Sequence, residues 1–304
     1  MPFLNRTLQA LEINRYYANI IEIKKNDQLH LRKAHSIELD KEIIEPSLKK
    51  ENIKDPSKFL SRIRMLFQES DIKPGEIGLS LPDPISLSYL NEIEVETKGK
   101  KQIIELIKWK THKTNPIPSE ELAVNFQIIN NPGKKKKVLS FQTSKKIIHQ
   151  YENLLRKIKV LPVKIQTNSF NLYNLFYPNF PEDKDFVFIS IFPDYFSLFI
   201  CRNRSPLFYR FKMVSFDHPG FFQEVNNSFL FFNKENQDLS LLKVYYYLWE
   251  ENSIYRETLE KNFYYIFQKP VVFLKVDDIL EFKYKVNSPK NFFGPALGSA
   301  ISLR

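Results

Sequence analysis

Cysteine and glycine are both scarce: the 304-residue chain holds one cysteine, Cys201, and seven glycines. One thiol makes neither an internal disulfide nor a cysteine-based zinc site, and the five histidines, at 30, 35, 112, 149 and 218, show no ligand spacing. Such cysteine usage fits a reducing compartment, and Cys201, at the end of an apolar strand, reads as a packed or edge thiol and not a nucleophile. Few glycines leave few places where backbone amides can approach a phosphate, and neither a Walker loop nor G-x-G-x-x-G occurs. A glycine-flanked serine elbow is absent too. No apolar run approaches about 18 residues, because Phe186 to Ile200 is broken by Ser190, Pro193, Asp194 and Ser197. The opening MPFLNRTLQALEI lacks a signal-peptide apolar stretch, so neither a membrane span nor export is expected.

What the chain does have is unevenly shared. Lys and Arg number 45 against 35 Asp and Glu, a net charge of +10. Residues 1–160 carry +9 of it, whereas 22 of the 27 phenylalanines lie in residues 161–304. The contrast predicts two separately packed cores, with a junction near Tyr177–Lys184 where Pro178 and Pro181 stand among charges.

Hydropathy patterning predicts a mixed α/β chain without internal repeat. Leu11–Ile13 and Ala18–Ile23 read as one strand continuing through a polar middle, and Gln28–Leu39 as another. Asp55 caps a helix entered at Pro56, with Phe59, Leu60, Ile63, Leu66 and Phe67 on one face. Strands follow at Ile77–Leu81 and Ile85–Val95, then a helix over Lys100–His112 with Ile103, Ile104 and Ile107 inward and Trp109 read as core more than contact. Val124–Ile129 and Val138–Gln142 are strands around an Asn131-Pro132-Gly133 turn, and Ser144 caps an amphipathic helix carrying Ile147, Ile148, Tyr151, Leu154, Leu155 and Ile158. Phe186–Ile191, Tyr195–Arg202 and Leu207–Met213 form a meander. Helices at Phe221–Phe232 and Tyr255–Phe267 then alternate with strands at Leu241–Trp249 and Val271–Val276. The acid pairs Glu120-Glu121 and Asp277-Asp278, on strands, would face opposite ways and read as solvated, and Lys134–Lys137 reads as a solvated hairpin tip. No catalytic residue and no metal ligand is assigned.

In order and local motif the segments resemble the PilM-type pilus-assembly proteins, of the actin-like ATPase fold shared by FtsA and the cytoplasmic domain of GspL. Residues 107–129, IKWKTHKTNPIPSEELAVNFQII, are similar to that family's Trp-containing turn, Pro-x-Pro, acid pair and strand, through Trp109, Pro116, Pro118, Glu120, Glu121, Phe126 and Gln127. Residues 138–170 resemble the next strand, helix and strand, and the ending NFFGPALGSAISLR resembles the closing helix through Ala296, Leu297 and Gly298. The resemblance implies an α/β, ribonuclease H-like, two-lobed fold. Residues 1–80 and 141–180 would make the first lobe, 81–140 a small inserted subdomain, and 181–304 a second lobe whose fourth subdomain is truncated.

The departures from the family carry the functional expectation. Its first phosphate loop, G-L-D-I-G with small hydroxyl residues, aligns here with Ala10-Leu11-Glu12-Ile13-Asn14-Arg15-Tyr16-Tyr17. Its second, D-I-G-x-[ST]-[ST], aligns with Ser190-Ile191-Phe192-Pro193-Asp194-Tyr195, anchored by Arg210, and its adenosine Gly-Gly falls at Leu248 and Trp249. Glu12, Asn14, Arg15, Ser190, Phe192, Leu248 and Trp249 are thus degenerate nucleotide-site positions. A phenyl ring blocks the approach to a phosphate, and Pro193 has no N–H to donate. Only about thirty residues separate Arg210 from Val244, too few for a complete fourth subdomain.

The resemblance therefore implies a non-catalytic scaffold with no cofactor, cytoplasmic and peripheral to the inner membrane, in a type IV pilus or related secretion machine. Its expected partner is a PilN-like membrane protein whose short N-terminal tail binds around Leu81, Pro82, Trp109, Pro116, Ile117 and Pro118. Self-association and an anionic membrane surface are further expected contacts, and nucleic acid is not one. A divergent ATPase of the same fold is the alternative.

Overall fold

The computed structural model describes residues 6–25, 29–94, 99–130, 135–233, 242–250, 253–280 and 286–303. Thirteen strands and seven α-helices among them form two five-stranded sheets, a three-stranded sheet and the layers between.

The first sheet begins with β1 (Arg6–Ile13), β2 (Tyr17–Lys25) and β3 (Leu29–Glu38), an antiparallel meander. The expected single strand over residues 11–23 is in fact a hairpin. Asn14 Oδ1 accepts from the amides of Tyr16 and Tyr17 at 2.8 and 2.9 Å, and this Asx turn reverses the chain without a glycine. Helix α1 (Pro56–Ser70) starts at Asp55, whose carboxylate accepts from Lys58 N at 2.9 Å. Strand β4 (Glu76–Leu81) then runs parallel to β1, and β8 (Leu161–Thr167) parallel to β4, giving the order β3-β2-β1-β4-β8.

Between β4 and β8 the chain makes the small sheet from β5 (Ser86–Glu94), helix α2 (Lys100–Thr111), β6 (Leu122–Asn130) and β7 (Lys135–Ser144), ordered β5-β7-β6. Ile103 and Ile107 of α2 pack on Ile93 and Val138 in a cluster of their own. Helix α3 (Lys145–Arg156) is capped by Ser144 as expected and returns Tyr151, Leu154 and Leu155 to the core beside α1. The 131–133 turn and Lys134 lie outside the described residues.

After β8 comes α4 (Asn168–Phe176), a helix absent from the sequence reading because its polar and apolar residues alike are buried, leaving no amphipathic stripe. The second sheet follows: β9 (Phe186–Ile191), β10 (Tyr195–Arg202), β11 (Ser205–Met213), helix α5 (Phe221–Asn233), β12 (Lys243–Leu248), α6 (Ser253–Phe267) and β13 (Val271–Phe273), ordered β11-β10-β9-β12-β13. The strand expected to reach Val276 stops at Phe273, and Val276–Asp278 is a 3-10 turn. Glu120 and Glu121 likewise lie in a turn before β6, so neither acid pair is on a strand. Helix α7 (Gly294–Ile301) closes the fold.

The sequence showed no repeat, but the structure has one: each five-stranded sheet is an antiparallel meander followed by two parallel strands. The repeat is one of topology, built from different residues. Three clusters make a five-layer stack. An aliphatic core of Ile and Leu with Phe59, Phe67 and Tyr151 lies between the first sheet and α1 and α3. An aromatic core with Phe196, Phe221, Tyr246 and Phe263 lies between the second sheet and α5 and α6. The third, through α4 and α7, joins the two sheets. There the backbones nearly touch, since a Cβ on Gly298 would lie 1.9 Å from the Asn171 carbonyl oxygen.

Candidate functional site

Strands β1, β9 and β12 end toward the same place, between the lobes, where β9 pairs with β12 and both face the tip of the β1–β2 hairpin. The first tip is Asn14–Tyr16 and the second is Phe192–Asp194. They meet directly: the Tyr16 hydroxyl donates to Asp194 Oδ1, and the Arg15 guanidinium lies 3.9 Å from Asp194 Oδ2. Burial and the Asp194 carboxylate push the Tyr16 hydroxyl up to about 12, so it remains the donor.

Several of the amides these turns display are used within the chain. Asn14 N donates to Tyr17 O at 3.1 Å, Phe192 N to Tyr195 O at 2.9 Å and Trp249 N to Ile191 O at 3.2 Å. Tyr16 and Tyr17 donate to Asn14, as described above. The Phe192 ring stacks on Tyr195 at 4.7 Å and packs against Tyr247 at 6.3 Å. Tyr17 stacks on Phe292 at 5.0 Å from the other side. Leu248 sends its side chain to the outer aromatic core and not between the lobes, whereas Trp249, half-buried, packs against both that core and the cluster joining the two sheets.

Beneath the tips runs a buried polar chain. Glu12 accepts from Asn19 Nδ2 at 3.0 Å, its register partner on β2, and from Asn168 Nδ2 at 3.4 Å. Asn168 accepts from Ser80 Oγ at 2.7 Å, and Asn171 Nδ2 donates to Ser80 at the same distance. From the next residue, Ser169 Oγ meets Ser190 Oγ at 3.0 Å, and Ser190 meets Ser197, its own register partner, at 2.7 Å. Ser169 also donates from N and Oγ to Asp83 Oδ2 at 3.2 and 2.9 Å, while the Tyr209 hydroxyl donates to Asp83 Oδ1 at 2.9 Å. Residues of α4 thus connect β1 and β4 to β9, β10 and β11. Burial pushes the Glu12 carboxyl up to about 8 against the hydrogen bond of Asn19. It raises Asp83 too, against those of Ser169 and Tyr209. Cys201 is fully buried, and burial pushes its thiol up, away from nucleophilic use.

Of the predicted positions, Glu12, Asn14, Arg15, Ser190 and Phe192 come together here. Sequence reading missed Asn19, Ser80, Asp83, Asn168, Ser169, Asn171 and Tyr209, whose one cue is the run of polar residues Asn168-Ser169 and Asn171 in an otherwise apolar stretch. Among the described residues no three His, Cys, Asp or Glu gather as a metal site.

The predicted tail-binding residues divide by burial. Leu81 belongs to the first-lobe core, Pro82 is buried and Ile117 is 7% exposed, so these three present no side-chain surface to a peptide. Pro116 and Pro118 are exposed, and Trp109, expected in the core, is 68% exposed. The Pro116–Pro118 loop leads into edge strand β6 where the small sheet joins the first lobe: Glu121 O accepts from Lys145 N at 2.8 Å, and its carboxylate pairs with Lys146 at 2.7 Å. No helix among the described residues is long and apolar enough to cross a membrane.

No family model and no curated protein matches the chain. Solved structures do. A chain of the PilM-PilN type IV pilus biogenesis complex superposes with a TM-score of 0.79 at 16% identity, over 97% of this chain and 98% of that one. The cytoplasmic domain of EpsL, an inner membrane component of the type II secretion system of Vibrio cholerae, gives a TM-score of 0.53 at 6% identity, over 98% and 95%. A Bacteroides thetaiotaomicron protein of unknown function with an actin-like ATPase fold gives 0.53 at 12%, over 91% and 93%. The chain therefore has the actin-like ATPase fold, as its resemblance to the PilM-type proteins implied.

Proposed function

We propose that this protein is a non-catalytic scaffold at the cytoplasmic face of an inner membrane, in a type IV pilus or related secretion machine, and that it receives the N-terminal tail of a PilN-like membrane partner. One observation carries the first part: the two hairpin tips that would hold a triphosphate are tied to each other through Tyr16 and Asp194, with Phe192 stacked behind them. A nucleotide would have to break that tie, displace the rings and find free amides where those of Asn14, Tyr16, Tyr17, Phe192 and Trp249 already have acceptors. The residues present do not fit a phosphate chain and its metal.

The likeness to a chain of a PilM-PilN complex supports the second part. The tail is assigned to the edge of β6, where an extended peptide gains main-chain hydrogen bonds and the exposed Pro116, Pro118 and Ile128 flank it.

Thermal unfolding with and without magnesium ATP tests the scaffold reading. A nucleotide at a hundred times its Kd would add about 2.7 kcal/mol and several degrees to Tm. No shift is expected, and a clear rise would favour the divergent ATPase. Calorimetric titration with the partner's tail peptide tests the docking site, with Pro118→Glu and Ile128→Glu expected to weaken binding and leave Tm unchanged.

A further inference from the structure

Helix α2 covers one face of the small sheet with Ile103 and Ile107 and turns its opposite face to solvent, and that face has an unusual composition. Its centre is Trp109, 68% exposed, an apolar ring left open by the described residues. Around it on the solvent side lie Lys101, Lys108 and Lys113 against one acid, Glu105, while Lys100 and Lys110 fall on the stripe of Ile103 and Ile107, toward the sheet. Glu105 is neutralised by Lys108 at 3.0 Å, and Lys110 bonds the carbonyl of Glu92. Lys101 and Lys113 are exposed and have no ion pair among the described residues. At 1.5 Å per residue these two charges lie about 18 Å apart along one helix and its last turn.

We infer that this face of α2 docks on an anionic lipid surface, with Trp109 seated at the headgroup level and the lysines over the acidic headgroups. Charge complementarity names the occupant. Tryptophan is the side chain favoured at a membrane–water interface, and each lysine near an acidic leaflet adds to the attraction. A helix lying flat on such a surface needs a cationic face with an apolar anchor, which is the arrangement present. Duplex DNA would match the charge but gives the exposed indole no role, and no recognition helix or other nucleic-acid module accompanies it. The inference stands apart from the tail-binding proposal: the tail edge is β6, and α2 points its tryptophan away from the sheet.

Co-sedimentation of the full chain with vesicles of phosphatidylglycerol and phosphatidylcholine, beside pure phosphatidylcholine, tests it at about 0.1 M salt. Partition to the acidic vesicles alone is expected, falling as salt rises. Lys→Gln at 101 and 113 should each cost about fivefold in partition, and Trp109→Ala about tenfold. Lipids brominated in the acyl chain should quench the emission of the wild type and leave that of Trp109→Ala, which retains only Trp249, unchanged. All three side chains are exposed, so Tm should not move, and an unshifted Tm separates lost docking from lost fold. Absence of partition, equal partition of wild type and variants, or retention by duplex DNA without vesicle binding would each overturn the inference.

Discussion

Position by position, Glu12 and Asn19 in the first sheet correspond to Ser190 and Ser197 in the second, each pair in register on the first two strands of its meander. The strand order is the same, and so is the place of the polar pair beside the middle layer. The chemistry differs: one lobe puts an acid and an amide there and packs its outer face with Ile and Leu, while the other uses two hydroxyls and a shell of phenyl rings. Topology constrains which positions are buried and leaves open the means of giving their polar groups partners.

The sharpest way to break what the lobes share is at the layer between them. Gly298→Ala drives a methyl group into the Asn171 carbonyl and is expected to cost more than about 4 kcal/mol or to abolish folding, whereas Gly75→Ala, whose Cβ would meet nothing nearer than 4.0 Å, should stay within about 0.5 kcal/mol. Denaturant unfolding of both proteins checks the pair.

The second lobe depends on its rings. Phe196, fully buried and edge-on to Phe221 in the outer core of that lobe, should cost about 3–5 kcal/mol on truncation to Ala, while Ile63→Val in the first lobe should cost about 0.5–1.5. A loss under about 2 kcal/mol at Phe196 would mean that the rings do not carry the second core.

The acid in the first lobe gives it a pH dependence that the serines opposite do not share. The folded state holds the Glu12 proton up to about pH 8 and the unfolded chain releases it near 4.5, so between these values the folded state binds more protons and stability falls as pH rises. Asp83, also raised, adds to the fall with the same sign. From pH 5 to 8 the Glu12 contribution amounts to roughly 3 kcal/mol, and Glu12→Gln should flatten the profile and raise Tm at pH 8, whereas Ser190→Ala should leave its slope unchanged. Melting curves at half-unit pH steps decide it.

The smallest effect is expected at the tips. Tyr16→Phe removes the hydroxyl that reaches Asp194 and should cost about 1 kcal/mol. Its more telling signature is faster amide hydrogen exchange at both hairpin tips. Unchanged exchange would mean that the tips do not hold one another.

Much of the fold was legible because its elements obey local rules. The Asp55 and Ser144 caps, the 3–4 spacing along α1 and α3 and the meander of β9 to β11 all stand in the sequence. What was hidden depends on distance. The turn at Asn14 reverses the chain through a side-chain acceptor where glycine is usually sought, so the hairpin read as one strand. Helix α4 is buried on every side and shows no stripe. The topological repeat escaped because its halves use aliphatics in one place and aromatics in the other. Glu12, Ser190 and Phe192 were picked out by resemblance, but the chain of Asn168, Ser169 and Asp83 that joins them spans segments as far apart as Glu12 and Tyr209. Trp109 was misjudged for a different reason: spacing alone puts a tryptophan near the edge of an apolar stripe, and only the packed helix shows which side of the edge it takes.

The buried thiol of Cys201 has a practical corollary. Sealed beneath the second sheet with its proton firmly held, it should ignore maleimides and spin labels under native conditions, so reporter cysteines can be placed on the surface without first removing the natural one. A pair of labels, one on each lobe, would then read out by distance whether the two halves of this chain ever move apart.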